Sequence, residues 1–145
     1  MQDKAIGLQS ASFLTRIASM VYELLLVAAV LFVATLPFLY LVGSAESGWR
    51  HLVFQLYLTG VLFAYFSAFW MRSGQTLAMK TWRIRLVCRD GGPVTLTRSA
   101  LRFAVALAGL LLGGVGFWWG LFDRDRQFLH DRIAGTRLVR VPRKA

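Results

Sequence analysis

The chain has 145 residues, of which 57% are hydrophobic and 17% charged, against roughly 25% charged in a typical soluble domain. This length allows a single domain over residues 1–145, and so much apolar surface excludes an ordinary soluble protein of this size. The formal net charge of +10 predicts a lipid bilayer with anionic headgroups as partner rather than nucleic acid, because the basic residues flank apolar segments.

Residues 1–12 are short and mixed, and we expect a surface helix or a disordered arm. The first apolar segment follows, at about residues 17–42, and would be roughly 39 Å long as a helix, against ~30 Å for the hydrocarbon core. Such a helix must tilt, or bend near Pro37, which has no backbone N–H. A second apolar segment covers about residues 52–70, and both segments are predicted to span the membrane.

Arg16 and Glu23 are seven residues apart, so they lie on one face of the first helix, about 10 Å apart along its axis. Arg16 alone would be an ordinary basic anchor at a helix start. A charge deep in the bilayer costs about 2.5–3.5 kcal/mol on insertion scales, so Glu23 needs a partner, water or a bound proton. Two interpretations stay open: a packed carboxyl that fixes helix association, or a group that handles an ion or proton.

Two basic segments have the alternation typical of strands. In "WRIRLVC", Trp82, Ile84 and Leu86 alternate with arginines, and "GTRLVRVP" near the C-terminus has a similar pattern. After the turn "RDGGPV", the stretch "VTLT" is predicted as a possible returning strand. The two basic strands can pair only if both lie on the same side of the membrane.

The third apolar segment, about residues 101–122, is rich in glycine and is either a third span or a re-entrant hairpin that breaks near "GGVG". Charge favours the hairpin, since both flanking regions are basic and belong in the cytoplasm by the positive-inside rule. The loop 71–100 has six basic residues and one acid, and the tail 123–145 has seven basic residues and three acids. We therefore predict an all-α transmembrane fold, N-terminus inside, with a small basic cytoplasmic module that contains strands.

Residue patterns for catalysis are missing from the sequence. The lone Cys88 excludes an intrachain disulfide and a multi-cysteine metal site, and no HExxH or serine–histidine–acid arrangement is present. The stretch "GQTLAMK" lacks the G-K-[ST] of a phosphate loop, so Lys80 is expected at lipid headgroups instead. We predict no enzyme activity, no metal and no cofactor. Asp3 and the long first apolar run also argue against a cleavable signal peptide.

Taken together, these motifs resemble the RDD family of small bacterial membrane proteins, over about residues 13–141. The family arginine matches Arg16, and Glu23 stands where the family usually has its first aspartate. The other matching positions lie in "GQTLAMKTWRIRLVCRDGGPVTL" and "RQFLHDRIAGTRLV": Gly74, Gln75, Thr76, Lys80, His130, Asp131, Gly135 and Thr136. Asp131 corresponds to the second family aspartate, whereas Ala78 and Met79 depart from the usual glycine and basic residue.

The resemblance implies a location in the bacterial inner membrane and transport, with cation/proton exchange in some members, so a monovalent cation or a proton is the expected cargo. In that case Glu23 binds the ion, and Arg16 and Asp131 gate it. A carrier needs walls around its site, so transport by so few helices predicts a homo-oligomer. The alternative is a non-catalytic scaffold in which Arg16 and Asp131 form a structural latch. His130 is expected to be a solvated interfacial residue, and Gly135 to end a helix.

Overall fold

The fold is a set of long apolar helices joined to a small two-stranded sheet, in a computed structural model that describes residues 9–44, 46, 48–125 and 127–142. The predicted helical membrane fold with a small strand-containing module is confirmed. The elements are, in chain order, α1 (Phe13–Val42), α2 (Trp49–Arg72), α3 (Leu77–Thr81), β1 (Ile84–Cys88), α4 (Leu96–Leu111), α5 (Val115–Phe122), α6 (Leu129–Ala134) and β2 (Thr136–Arg140).

Helices α1 and α2 are each long and apolar enough to cross a membrane. α1 begins after Ser12, whose hydroxyl accepts a hydrogen bond from the Thr15 backbone N–H at 3.3 Å, and it continues through Pro37. The two helices pack together, and the Tyr57 hydroxyl of α2 donates to the Ala34 carbonyl of α1 at 3.0 Å. Of their apolar side chains only Phe38 and Trp70 are buried, and many others are exposed, which suits contact with lipid.

The third apolar segment is two helices, α4 and α5, bent by 98° at a short break. Gly113 and Gly114 form the break with φ of 81° and 79°, a left-handed conformation that glycine adopts without steric cost. The predicted break near "GGVG" is therefore confirmed. Another pair of glycines lets the two helices approach closely, because a Cβ on Gly109 would lie 3.2 Å from the backbone nitrogen of Gly116.

Strands β1 and β2 pair antiparallel, from Ile84 opposite Arg140 to Cys88 opposite Thr136. β1 precedes α4 and β2 follows α5 in the sequence. Because the two strands pair, the chain must return after α5 to the same end of the helix pair at which it entered α4. A complete third span would separate the strands by the ~30 Å of the hydrocarbon core. The pairing therefore has the geometry that the re-entrant alternative requires.

One local prediction was wrong, and a second fails over the few of its residues that the structure describes. "VTLT" is not a strand, because Thr95 caps α4 by accepting a hydrogen bond from the Arg98 backbone N–H at 3.4 Å. Of the predicted arm, residues 1–8 lie outside the described residues, and residues 9–11 run alongside β2 rather than forming a helix. There the Ala11 N–H donates to the Leu138 carbonyl at 3.1 Å. The chain just before α1 is thus fastened to the sheet.

The main hydrophobic core lies where the helix ends meet the sheet. Its buried members come from α2, α3, both strands and the two segments that precede α1 and α4: Ala11, Trp70, Met79, Ile84, Leu86, Val94 and Leu138. This core fixes the ends of the membrane helices against the strand module, and the buried polar groups described next lie among the same elements.

Candidate functional site

Glu23 of α1 is held by hydroxyl groups from two other elements. It accepts a hydrogen bond from the Tyr65 hydroxyl of α2 at 3.1 Å and another from the Thr76 hydroxyl at the start of α3. Among the residues that the structure describes, its carboxylate has no ion-pair partner within 4.0 Å. The intramembrane carboxylate is thus compensated by neutral donors, and its side chain is only half-buried.

The connection between α2 and β1 brings Thr76 to Glu23. Gly74 has a φ of +68°, and a Cβ there would lie 2.5 Å from the Leu86 carbonyl oxygen, so only glycine fits. The Gln75 side-chain amide donates to the Ile84 carbonyl at 2.8 Å. The "GQT" residues of the predicted motif therefore attach this connection to β1 and place the fully buried Thr76 over the first helix.

Asp131 of α6 forms a buried ion pair with Arg102 of α4. Arg102 Nε lies 2.7 Å from Asp131 Oδ1, with the two side chains 7% and 1% exposed. The guanidinium of Arg102 also lies over the Trp70 ring of α2, 4.3 Å from its centroid. This arrangement joins α2, α4 and α6 through one arginine.

Several charges keep Asp131 ionised despite its burial. Burial opposes the charged form, but the charge of Arg102 above all, with a smaller contribution from Arg16, holds the pKa of Asp131 below its ordinary value. Arg16, itself 2% exposed, adds a smaller electrostatic contribution to this lowering. The direct partner, however, is Arg102, which the sequence analysis did not single out.

Arg102 bonds directly to Asp131, and its contribution at Glu23 is electrostatic only. Arg16, Glu23, Arg102 and Asp131 are here called the charged cluster. A signal for Arg102 was present in the sequence, because it lies inside the predicted third segment, where an ionisable residue is a site candidate by default.

His130 is buried, so its predicted position as a solvated interfacial residue was wrong. Its ring lies 5.3 Å from that of Phe117 and 5.5 Å from that of Phe128, centroid to centroid. Burial lowers the pKa of His130 to about 4, although Asp131 opposes this shift, and the imidazole is therefore neutral at pH 7. Its Nε2 lies 4.0 Å from Asp131 Oδ2.

The other motif residues have structural positions around the cluster. Gly135 ends α6 with a φ of +67°, which confirms the predicted C-cap, and its carbonyl accepts a hydrogen bond from Arg98 Nη1 at 3.0 Å. Thr136 is fully buried, with its hydroxyl 3.5 Å from Asp131 Oδ1. Lys80 is exposed on α3. The described residues contain no group of three or more His, Cys, Asp or Glu side chains that could hold a metal ion.

Comparison with known proteins agrees with the motifs at this site. The sequence model of the RDD family matches residues 10–135, a range that includes Arg16, Glu23, Arg102 and Asp131. The chain belongs to the RDD family. The resemblance inferred from the sequence is thus confirmed, and the chain is a membrane protein of the RDD family with apolar helices.

One curated relative of this RDD family chain is Uncharacterized protein RP437 of Rickettsia prowazekii (strain Madrid E). The two are 33% identical over 81 residues, which cover 55% of this chain and 44% of the relative. The chain thus spans less than half the length of that relative. No solved structure matches the chain.

Proposed function

We propose that this RDD family protein carries a proton or a monovalent cation across the membrane, with Glu23 as the binding carboxylate and without catalysing a reaction. The observation that supports this most is the set of partners of Glu23, which are the hydroxyls of Tyr65 and Thr76. A hydroxyl can rotate and present a lone pair, so both groups can become ligands to a cation. The carboxylate can then bind its cargo without first breaking a direct ion pair.

The proposal includes a location and an orientation. We propose that the strand module lies in the cytoplasm at a bacterial inner membrane, with α1 and α2 as spans and α4 and α5 as a re-entrant pair, because the basic loop and tail favour that side by the positive-inside rule. Glu23 lies about a third of the way along α1 from its N-terminus, so its site would open towards the cytoplasmic side. Lys80 and the other exposed basic residues of the module would contact anionic headgroups.

Transport by this chain requires more than one copy. A carrier encloses its site on all sides, and two long helices with one bent pair leave the apolar faces of α1 and α2 open. We therefore propose a homo-oligomer in which Glu23 faces a cavity that the copies share. Cross-linking and native mass spectrometry in detergent would count the subunits, and a strictly monomeric protein would exclude this form of the proposal.

A second candidate function is a scaffold that fastens the strand module to the membrane helices. The buried Arg102–Asp131 pair favours it, since this pair connects α4 to α6 at 2.7 Å and needs no cargo. Thr76 similarly connects α3 to α1 through Glu23. In this case the charged cluster contributes to the stability of the fold and has no role in transport.

Flux measurements in proteoliposomes test the two candidates. The wild type, Glu23→Gln and the control Glu46→Gln are reconstituted, and H⁺, Na⁺ and K⁺ movement is followed under an imposed gradient. Glu46 is an exposed carboxylate in the connection between α1 and α2. Transport predicts flux in the wild type and in Glu46→Gln and its loss in Glu23→Gln. Flux that is absent from all three, with Glu23→Gln less stable to heat, would support the scaffold instead.

A further inference from the structure

We infer that Phe38, Phe54 and Tyr57 form a gate between α1 and α2 at the end away from the strand module, and that α1 opens this gate by bending at Pro37. The three aromatic residues are here called the distal gate. The inference rests on the proposed function for its purpose, because a carrier must give Glu23 access to each side of the membrane in turn. The contacts that form the gate do not depend on that function.

Pro37 weakens α1 at one point. It has no backbone N–H, so the carbonyl of Val33, four residues earlier, lacks its helical donor. Prolines are among the places where helices bend sharply. The next carbonyl, of Ala34, accepts a hydrogen bond from the neighbouring helix, donated by the Tyr57 hydroxyl at 3.0 Å. A residue of α2 therefore holds α1 at the point where α1 is weakest.

The part of α1 beyond Pro37 has few buried contacts. Within residues 37–42, all of which the structure describes, Phe38 alone is buried, whereas Tyr40 is 90% exposed. The ring centroid of Phe38 lies 4.9 Å from that of Phe54 and 5.5 Å from that of Tyr57. Segments with few buried contacts open locally more easily than the rest of a fold. The last turns of α1 are thus held to α2 mainly by the distal gate.

The distal gate and Glu23 lie on the same side of α1. Phe38 comes fifteen residues after Glu23, just over four helical turns, so the two side chains project from about the same face. Ala34, which Tyr57 contacts, is about 16 Å from Glu23 along the helix axis. Glu23 therefore lies near the strand module, and the gate closes the space between α1 and α2 at the other end. Bending at Pro37 would move Phe38 away from α2 and open that end.

The reaction of a cysteine behind the gate with a water-soluble thiol reagent measures opening and does not require transport. Leu31→Cys places the thiol seven residues before Phe38, on the same half-buried face of α1, and the native buried Cys88 is replaced by serine. Purified protein in detergent reacts with a methanethiosulfonate that carries a quaternary ammonium group and stays out of apolar surroundings. The labelling rate then follows the population of the open form.

Two variants should change this rate in opposite directions. Tyr57→Phe keeps the ring but removes the hydrogen bond to Ala34, and we expect labelling about threefold or more faster. Pro37→Ala restores the helical N–H, and we expect labelling about threefold or more slower. Tyr40→Phe, which removes an exposed hydroxyl from the same turns, is the matched control and should leave the rate unchanged. General damage to the fold would increase the rate in both variants, and thermal unfolding checks that each is folded.

Two results would contradict the inference. Equal labelling rates in the Leu31→Cys background and in its folded Tyr57→Phe variant would exclude the gate. Faster labelling in Tyr57→Phe without slower labelling in Pro37→Ala would exclude the hinge, because α1 would then separate from α2 without bending.

Flux separates this inference from the proposed function. In proteoliposomes that transport Na⁺, Pro37→Ala should lower the maximal rate about threefold or more, since opening of the gate limits the cycle. An unchanged maximal rate would overturn the role of the gate in transport. A wild type without flux contradicts the transport proposal, whereas labelling still decides whether α1 opens at Pro37.

Discussion

The hydroxyl of Thr76 makes two contacts at once, with the first turn of α3 and with Glu23 of α1. It accepts a hydrogen bond from the Met79 backbone N–H at 3.3 Å, which caps the short helix, and it donates to the Glu23 carboxylate. One side chain therefore caps the first helix of the strand module and donates a hydrogen bond to the acid of α1. The position of the module is in this way coupled to the state of Glu23.

Replacing Thr76 should disturb both contacts together. Thr76→Val retains the shape but removes the hydroxyl, and we expect a loss of about 2 kcal/mol from the missing cap and the missing bond to Glu23. Thr76→Ser should stay close to the wild type. Thermal unfolding in detergent measures the difference. Thr81→Val is the matched control, because within the described part of the chain the exposed Thr81 hydroxyl bonds only to the Leu77 carbonyl of its own helix. Equal losses in the two valine variants would contradict the double role of Thr76.

The close crossing of α4 and α5 gives a second prediction. Gly109→Ala places a Cβ 3.2 Å from the Gly116 backbone nitrogen, so the two helices must move apart. We expect a lower melting temperature and a cost of about 1–3 kcal/mol from overpacking. Gly60→Ala is the control in α2, where nothing lies within 4 Å of the added Cβ. That change should instead stabilise the protein by up to about 1 kcal/mol, because alanine is the better helix former.

The bent helix pair and the strands were accessible from sequence because their signals are local. The "GGVG" break, the alternation of "WRIRLVC" and the Gly135 cap each depend on a few neighbouring residues. The charged cluster instead depends on contacts between distant residues: Thr76 is 53 positions from Glu23, and Arg102 is 29 from Asp131. Sequence reasoning identified both acids through the family motif, but it paired Asp131 with Arg16, since no spacing rule connects α4 to α6.

The buried imidazole of His130 gives a pH dependence with a defined sign. Its pKa of about 4 in the folded protein lies below the ordinary 6.5, so the unfolded chain binds more protons between these values. Stability should therefore be complete above about pH 6.5 and fall by about 2–3 kcal/mol as the pH decreases to 4. The pKa of Asp131 lies below its ordinary 3.8. The stability that its ionised form contributes is therefore lost only at still lower pH.

His130→Phe isolates this effect, because phenylalanine can occupy the space between the rings of Phe117 and Phe128 and cannot take up a proton. Between pH 6.5 and 4 the free energy of unfolding of the variant should therefore decrease much less than that of the wild type. Unfolding midpoints measured across this range for both proteins provide the comparison. Parallel curves for the two proteins would show that His130 is not the group that titrates.

The central claim is that the carboxylate of Glu23 carries the cargo, and exchange in a single proteoliposome preparation tests it most directly. A trapped pH dye reports proton movement after a Na⁺ or K⁺ pulse, with choline as the inert cation, for the wild type, Glu23→Asp and Glu23→Gln. The account predicts a cation-dependent signal in the wild type, a reduced one in Glu23→Asp and none in Glu23→Gln. A folded Glu23→Gln protein that exchanges as fast as the wild type would contradict it.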